Sequence, residues 1–160
     1  MIRLDNVPYG REAIETLYGD PRAKDFTTDK LESVELPFSL RADWLPSKHI
    51  YKLRMHKLVA ASLKDALREV LDNVGEEKLR EMNWDLLGDA YVFRNKAGAK
   101  ELSTHSWGIA IDISPKLGPF GKPCPDYPKI IVKAFEDRGW IWGGRWRSPD
   151  GMHFQAGRGY

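Results

Sequence analysis

The sequence predicts an α+β domain with a small, mostly antiparallel sheet flanked by helices. Three observations carry that expectation. Alternating apolar residues mark short strands, and apolar stripes at helical spacing mark helices. The two kinds are mixed along the chain without a regular βαβ rhythm. A chain of 160 residues also fits one domain, spanning 1–160, and can enclose a hydrophobic core without disulfides.

Residues Gly10 to Gly19 carry Ile14 and Leu17 and read as a short helix stopped by Gly19-Asp20-Pro21. Residues 21–29 are polar and loop-like. From Leu31 to Phe38 the apolar residues Val34, Leu36 and Phe38 alternate with polar ones, the pattern of a half-buried strand. Pro37 would place that strand at an edge. The strongest helical signal runs from about Ser47, a plausible N-cap, to Asn73. Val59, Leu63, Ala66, Leu67, Val70 and Leu71 form its apolar stripe, and Gly75 ends it. His49 and His56 would share one face of this helix, but no carboxylate pattern accompanies them. They read as surface or satisfied histidines.

Further on, Glu76–Met82 reads as a short helix, Asp89–Arg94 as a strand, and Trp107–Ile113 as another strand. Prolines and glycines make 114–126 an irregular loop, and Pro128–Asp137 is an amphipathic helix. Two last strands, about Trp140–Trp142 and Met152–Gln155, flank the turn Arg147-Ser148-Pro149-Asp150-Gly151. No repeat, low-complexity tract or linker interrupts the chain.

Composition excludes several function classes. Twenty-five basic and twenty-three acidic residues give a net charge of +2, with no basic run of the kind that marks a nucleic-acid tail. No apolar run approaches the length of a membrane span, and the charged N-terminus lacks the apolar core of a signal peptide. The expectation is synthesis in the cytosol, without a nucleic-acid or membrane partner. Cys124 is the single cysteine, which excludes an intramolecular disulfide and a cysteine-based zinc site; it reads as a bystander. Six tryptophans fit a tryptophan-rich core or a ligand groove.

Chemistry concentrates in two segments. In His105-Ser106-Trp107-Gly108-Ile109-Ala110-Ile111-Asp112-Ile113, strand alternation puts Ile109, Ile111 and Ile113 on a core face and Gly108, Ala110 and Asp112 on the other. A carboxylate in an otherwise apolar strand is costly without a partner. Either a cation shared with His105 or a His105–Asp112 hydrogen bond would account for it. In the second segment, Asp150 precedes His153 by three residues, and Pro149 and Gly151 forbid a helix there. His153 can look into the same cavity as Asp112, with Met152 and Phe154 pointing away. Two histidines and one carboxylate leave one position of a tetrahedral zinc open, the pattern of catalytic sites. Asp150 could then move the water's proton to the leaving amine, or merely bond its own turn.

Together these segments resemble the M15 zinc peptidases, which include D-alanyl-D-alanine carboxypeptidases and dipeptidases and the L-alanyl-D-glutamate endopeptidases of phage endolysins. The family pattern Ser-x-His-x-x-Gly-x-Ala-x-Asp, followed by an acid, two residues and His, is met at Ser103, His105, Gly108, Ala110, Asp112, Asp150 and His153. The run Gly139-Trp140-Ile141-Trp142-Gly143-Gly144-Arg145-Trp146 looks like the lysin branch, as does an acid that is Asp rather than Glu. The resemblance covers roughly residues 30–155.

It implies the fold shared by D,D-peptidases and hedgehog domains, and one Zn2+ per chain on His105, Asp112 and His153. It further implies Asp150 as general base and acid, Arg94 as the cation steadying the oxyanion, and Ser103 as a substrate contact. The implied substrate is a peptidoglycan stem peptide cut by a monomer after release to the wall, from a phage or prophage. The favoured bond is L-Ala–D-Glu, with a D-alanyl-D-alanine carboxypeptidase as the alternative. A non-catalytic zinc-bearing binding module is a further alternative, although such a module would not need Asp150. The sequence departs from many relatives at Gln155, where they carry Glu after His-Phe, and carries no separate wall-binding domain.

Overall fold

A computed structural model describes residues 1–160 and shows an α+β fold. Five α-helices, α1 (Gly10–Tyr18), α2 (Phe26–Asp29), α3 (Lys57–Val74), α4 (Glu76–Glu81) and α5 (Lys129–Glu136), accompany one six-stranded sheet. Its strands are β1 (Leu31–Ala42), β2 (Leu45–His56), β3 (Leu86–Asp89), β4 (Ala110–Ile113), β5 (Ile141–Trp142) and β6 (His153–Gln155), in the order β2-β1-β3-β4-β6-β5. Every neighbouring pair is antiparallel except β1 with β3.

The core forms on one side of the sheet. Ile109, Ile111, Ile113 and Phe154 are almost fully buried and join Leu63, Ala66 and Leu67 of α3 and Ile131 and Phe135 of α5 in one apolar cluster. Removing an aliphatic or aromatic side chain of this size from water contributes about 1.5–3 kcal/mol. Trp107 and Trp140 belong to this core. Two buried ion networks brace it. Asp85 receives Arg41 at 2.6 and 2.7 Å and also pairs with Arg80, and Arg138 ties α5 to Asp65 and Glu69 of α3.

Several elements differ from expectation. The long helix begins at Lys57 rather than near Ser47, because 45–56 pairs with β1 as a 12-residue strand. The apolar stripe at helical spacing starts only at Val59; before it, Leu53 and Met55 alternate in burial with Arg54, which is strand periodicity. His49 therefore lies on an exposed strand, bonded to Ser39 through Nδ1 at 3.0 Å. His56 is the true N-cap of α3. Its Nδ1 accepts from the Leu58 amide at 3.1 Å, while Nε2 donates to the Tyr18 carbonyl at 3.0 Å. Acceptance at Nδ1 needs a neutral ring, and burial pushes its pKa down to about 4.

Pro37 is not on a free edge strand. It falls where the β1–β2 register slips between Glu35 and Leu40, so no ladder bond is asked of it. Residues 26–29 form the short helix α2 instead of a loop. The strand expected over Asp89–Arg94 lies earlier, at β3, and 90–94 is irregular. Trp107 and Gly108 are not in a strand. They close the 3-10 turn Thr104–Trp107, and β4 starts at Ala110.

Candidate metal centre and its cleft

The face of β4 and β6 away from the core carries the chemistry. The register pairs Asp112 with His153 and Ala110 with Gln155, so both polar side chains of β6 stand on the same face as Asp112.

His105 reaches this point from the 3-10 turn. Ser103 caps the turn, its Oγ accepting from the His105 amide at 3.4 Å. Gly108 ends it with φ 66°, a left-handed conformation that favours glycine. A Cβ there would also come within 2.9 Å of the Leu31 side chain. Gly108 thus serves backbone geometry, while the small Ala110 leaves room opposite Gln155. Trp107, two residues on, plunges into the core and donates from Nε1 to the Gly19 carbonyl at 2.8 Å, which helps leave His105 on the cleft side.

One ligand atom from each of His105, Asp112 and His153 lies within 4.8 Å of the others, and all three residues are buried. His105 Nδ1 donates to the Ala90 carbonyl at 2.5 Å. A neutral ring therefore carries a lone pair on Nε2. That nitrogen is 3.3 Å from Asp112 Oδ1 but has no hydrogen-bond partner: two acceptors face one point. A buried acceptor aimed at a carboxylate is what a cation would satisfy, and nitrogen and oxygen donors suit such an ion. The residues fit a metal.

The charges around that point are held strongly. Burial alone would raise the pKa of Asp112, but the two imidazoles beside it, His105 and His153, outweigh burial and hold the carboxyl well below its usual range. Burial opposes charge on His153 as well, yet Asp112, 2.8 Å from its Nδ1, raises its pKa.

Asp150 sits on the wall of the same cavity, a cleft of about 380 Å3. Its turn is pinned on both sides. The Asp150 amide donates to Gly143 at 2.9 Å, and Gly121 donates to the Pro149 carbonyl at 2.6 Å. Met152 donates to Gly118 at 2.9 Å, and Trp142 Nε1 bonds Gly151 at 2.7 Å. Gly143 must be glycine for close approach, because a Cβ would lie 2.6 Å from the Asp150 carbonyl oxygen. Oδ1 of Asp150 is buried without a partner, so the carboxylate is not spent on capping its own turn. Burial pushes its pKa up to about 6, against the pull of His153, His105 and Arg94.

Arg94 and Ser103 line this cleft too. Arg94 is held loosely at its rim, with Nε 3.3 Å from Asp89 and Nη1 3.4 Å from the Asn95 carbonyl. Ser103 is 6% exposed; its Oγ accepts from the His105 amide, which leaves the hydroxyl proton free to be donated. Residues not anticipated from the sequence also line the cavity, among them Thr104, Lys96, Trp146 and Met152. Met152 was expected to face the core with Phe154; it stops short of β6 and faces the cleft. The alternation of His153 with Gln155 was the available signal for Gln155, and nothing in the local pattern marked Lys96. A larger cavity, about 650 Å3 beside Cys124 and Trp142, borders the other side of the Asp150 turn and holds no cluster of metal-ligating residues.

Two imidazoles and a carboxylate sunk in a cleft, beside a further carboxylate with an unpaired oxygen, are an arrangement of the kind that metal-dependent hydrolases use. The comparison with known families is narrower. Residues 97–156, which hold His105, Asp112, His153 and Asp150, match the family model described as D-alanyl-D-alanine carboxypeptidase. No curated protein and no solved structure matches the chain.

Proposed function

We propose that the protein is a zinc-dependent endopeptidase that cuts peptidoglycan stem peptides between L-Ala and D-Glu. The observation that carries the metal assignment is the unspent lone pair of His105 Nε2 facing Asp112 and His153. These three residues would hold one zinc ion. When bound, the ion supplies Lewis acidity, which brings the ionisation of water from about 15.7 to about 7.

The chain's own residues supply the rest. Asp150, ionised and unpaired, accepts the proton of the attacking water and delivers it to the leaving amine. A raised pKa suits this role, since a carboxyl near 6 can both take and release a proton near neutrality. Arg94, loosely tethered at the rim, is free to turn its guanidinium toward the oxygen that gains negative charge. Ser103 contacts substrate from the wall of the cleft. The protein acts on the wall as a monomer, and no helix is long and apolar enough to cross a membrane. The lysin-like run Gly139–Trp146 supports an endopeptidase of phage or prophage origin.

The description of the matched family favours a second reading, a D-alanyl-D-alanine carboxypeptidase. Digestion of purified peptidoglycan followed by mass spectrometry separates the two. New N-terminal D-Glu is the expected product, whereas released D-Ala establishes the second reading. Intact stem peptides after digestion with zinc-loaded protein overturn both.

A further inference from the structure

We infer that Gln155 is a positioning residue: its side-chain oxygen fixes which nitrogen of His153 faces the metal, with Thr104 as its brace. The inference rests on the proposed metal reading and concerns a residue outside the ligand set.

The hydrogen bonds leave one orientation for the amide. Gln155 Nε2 donates to the Gly157 carbonyl at 2.8 Å, so Oε1 must be the atom turned toward His153. Flipping the amide would set its oxygen against that carbonyl. Oε1 lies 2.9 Å from His153 Nε2 and accepts from Thr104 Oγ1 at 3.0 Å. An amide oxygen only accepts. His153 Nε2 therefore carries a proton, and Nδ1 is the nitrogen with a lone pair to give, on the side of Asp112. Gln155 and Thr104 are each 2% exposed, so water does not compete for these bonds.

The two histidines are thus locked in opposite senses by neutral oxygens. His105 is held at Nδ1 by the Ala90 carbonyl and offers Nε2; His153 is held at Nε2 by Gln155 and offers Nδ1. Of the two locks only the second depends on a side chain, so it can be removed without touching a ligand. An amide in this place keeps the acceptor that a carboxylate would provide while adding no negative charge behind the ring. Partners of this kind typically change metal affinity 10–100-fold when lost.

The test is zinc affinity of the full chain, measured by competition with a chromophoric chelator, with the melting temperature of the metal-free protein as a control for folding. Gln155→Leu should bind zinc about 10–100-fold more weakly. Gln155→Glu, which keeps an oxygen at the ring, should stay within a few-fold of the parent. A merely structural role would lower the melting temperature of both variants and leave zinc affinity unmoved. Equal affinity in Gln155→Leu, or equal loss in both variants, overturns the inference. Should Gln155→Leu not fold, nitrogen–proton correlation of the His153 ring in the zinc-loaded parent decides: a proton on Nε2 supports the lock, and one on Nδ1 refutes it. A parent protein that takes up no zinc overturns the metal reading itself, a different result from a parent that binds and a variant that binds as well.

Discussion

Replacing Asp150 with Asn should remove activity and, in the metal-free protein at pH 7.5, raise stability. The carboxyl has a pKa of about 6, up from an ordinary 3.8, because burial disfavours its charge. A pKa raised by folding means stability that is complete below the unfolded value and lost as pH rises through the folded one, here between 3.8 and about 6. At 1.36 kcal/mol per unit, keeping the group ionised at pH 7.5 costs roughly 3 kcal/mol. The cleft is partly open to solvent, and the new amide also lacks a partner at the buried Oδ1 position. Those two effects reduce the gain to about 1–2 kcal/mol. For a chain of this size that is a rise in melting temperature of roughly 2–8 °C. Losing the proton shuttle should lower kcat about 10²–10⁴-fold. The assay is paired: thermal melts with chelator at pH 7.5 and pH 3.5, and turnover of a soluble stem peptide with zinc. At pH 3.5 the stability gain should vanish, since the parent carboxyl is then protonated in the folded state. A variant less stable than the parent at pH 7.5, or equally stabilised at both pH values, would refute the reasoning.

Arg94→Ala should depress kcat about 10²–10³-fold while KM changes little, because its contact strengthens only as charge develops on the carbonyl oxygen; a rise in KM alone would make Arg94 a binding residue. Acid should destabilise the parent through His56, whose pKa is lowered from 6.5 to about 4. A depressed pKa gives stability that is present above pH 6.5 and lost on descent to 4, worth roughly 3 kcal/mol. His56→Asn keeps a capping acceptor but does not titrate, so urea melts at pH 7 and pH 4.5 should show its deficit against the parent shrinking. A constant deficit would remove His56 from the acid response.

The metal corner was legible because its constraints are local. A lone acid in the apolar run Ile109–Ile113, with Ala110 beside it and Pro149 and Gly151 forbidding a helix before His153, left little freedom for Asp112 and His153. His105 was harder to place: the 3-10 turn that lifts it depends on Gly108 packing against Leu31 and on the His56 amide, which donates to the Gly108 carbonyl at 2.8 Å. Those contacts are remote in sequence. For the same reason the local pattern of residues 47–56 reads as helix, although they lie in β2. What makes them a strand is pairing with β1, and tertiary pairing overrides local preference. Gln155 stands out in the sequence as a departure from relatives and by its alternation with His153, but its bonds to His153, Thr104 and Gly157 appear only once β6 is set against β4 and the Thr104 turn.

Zinc content of the purified protein tests the central claim most directly. Elemental analysis of the parent chain should find about one equivalent of zinc, and the same analysis of His105→Ala, which deletes the unsatisfied nitrogen and keeps Asp112 and His153, should find little or none. A parent without metal after zinc loading, or a His105→Ala chain that retains a full equivalent, would contradict the account.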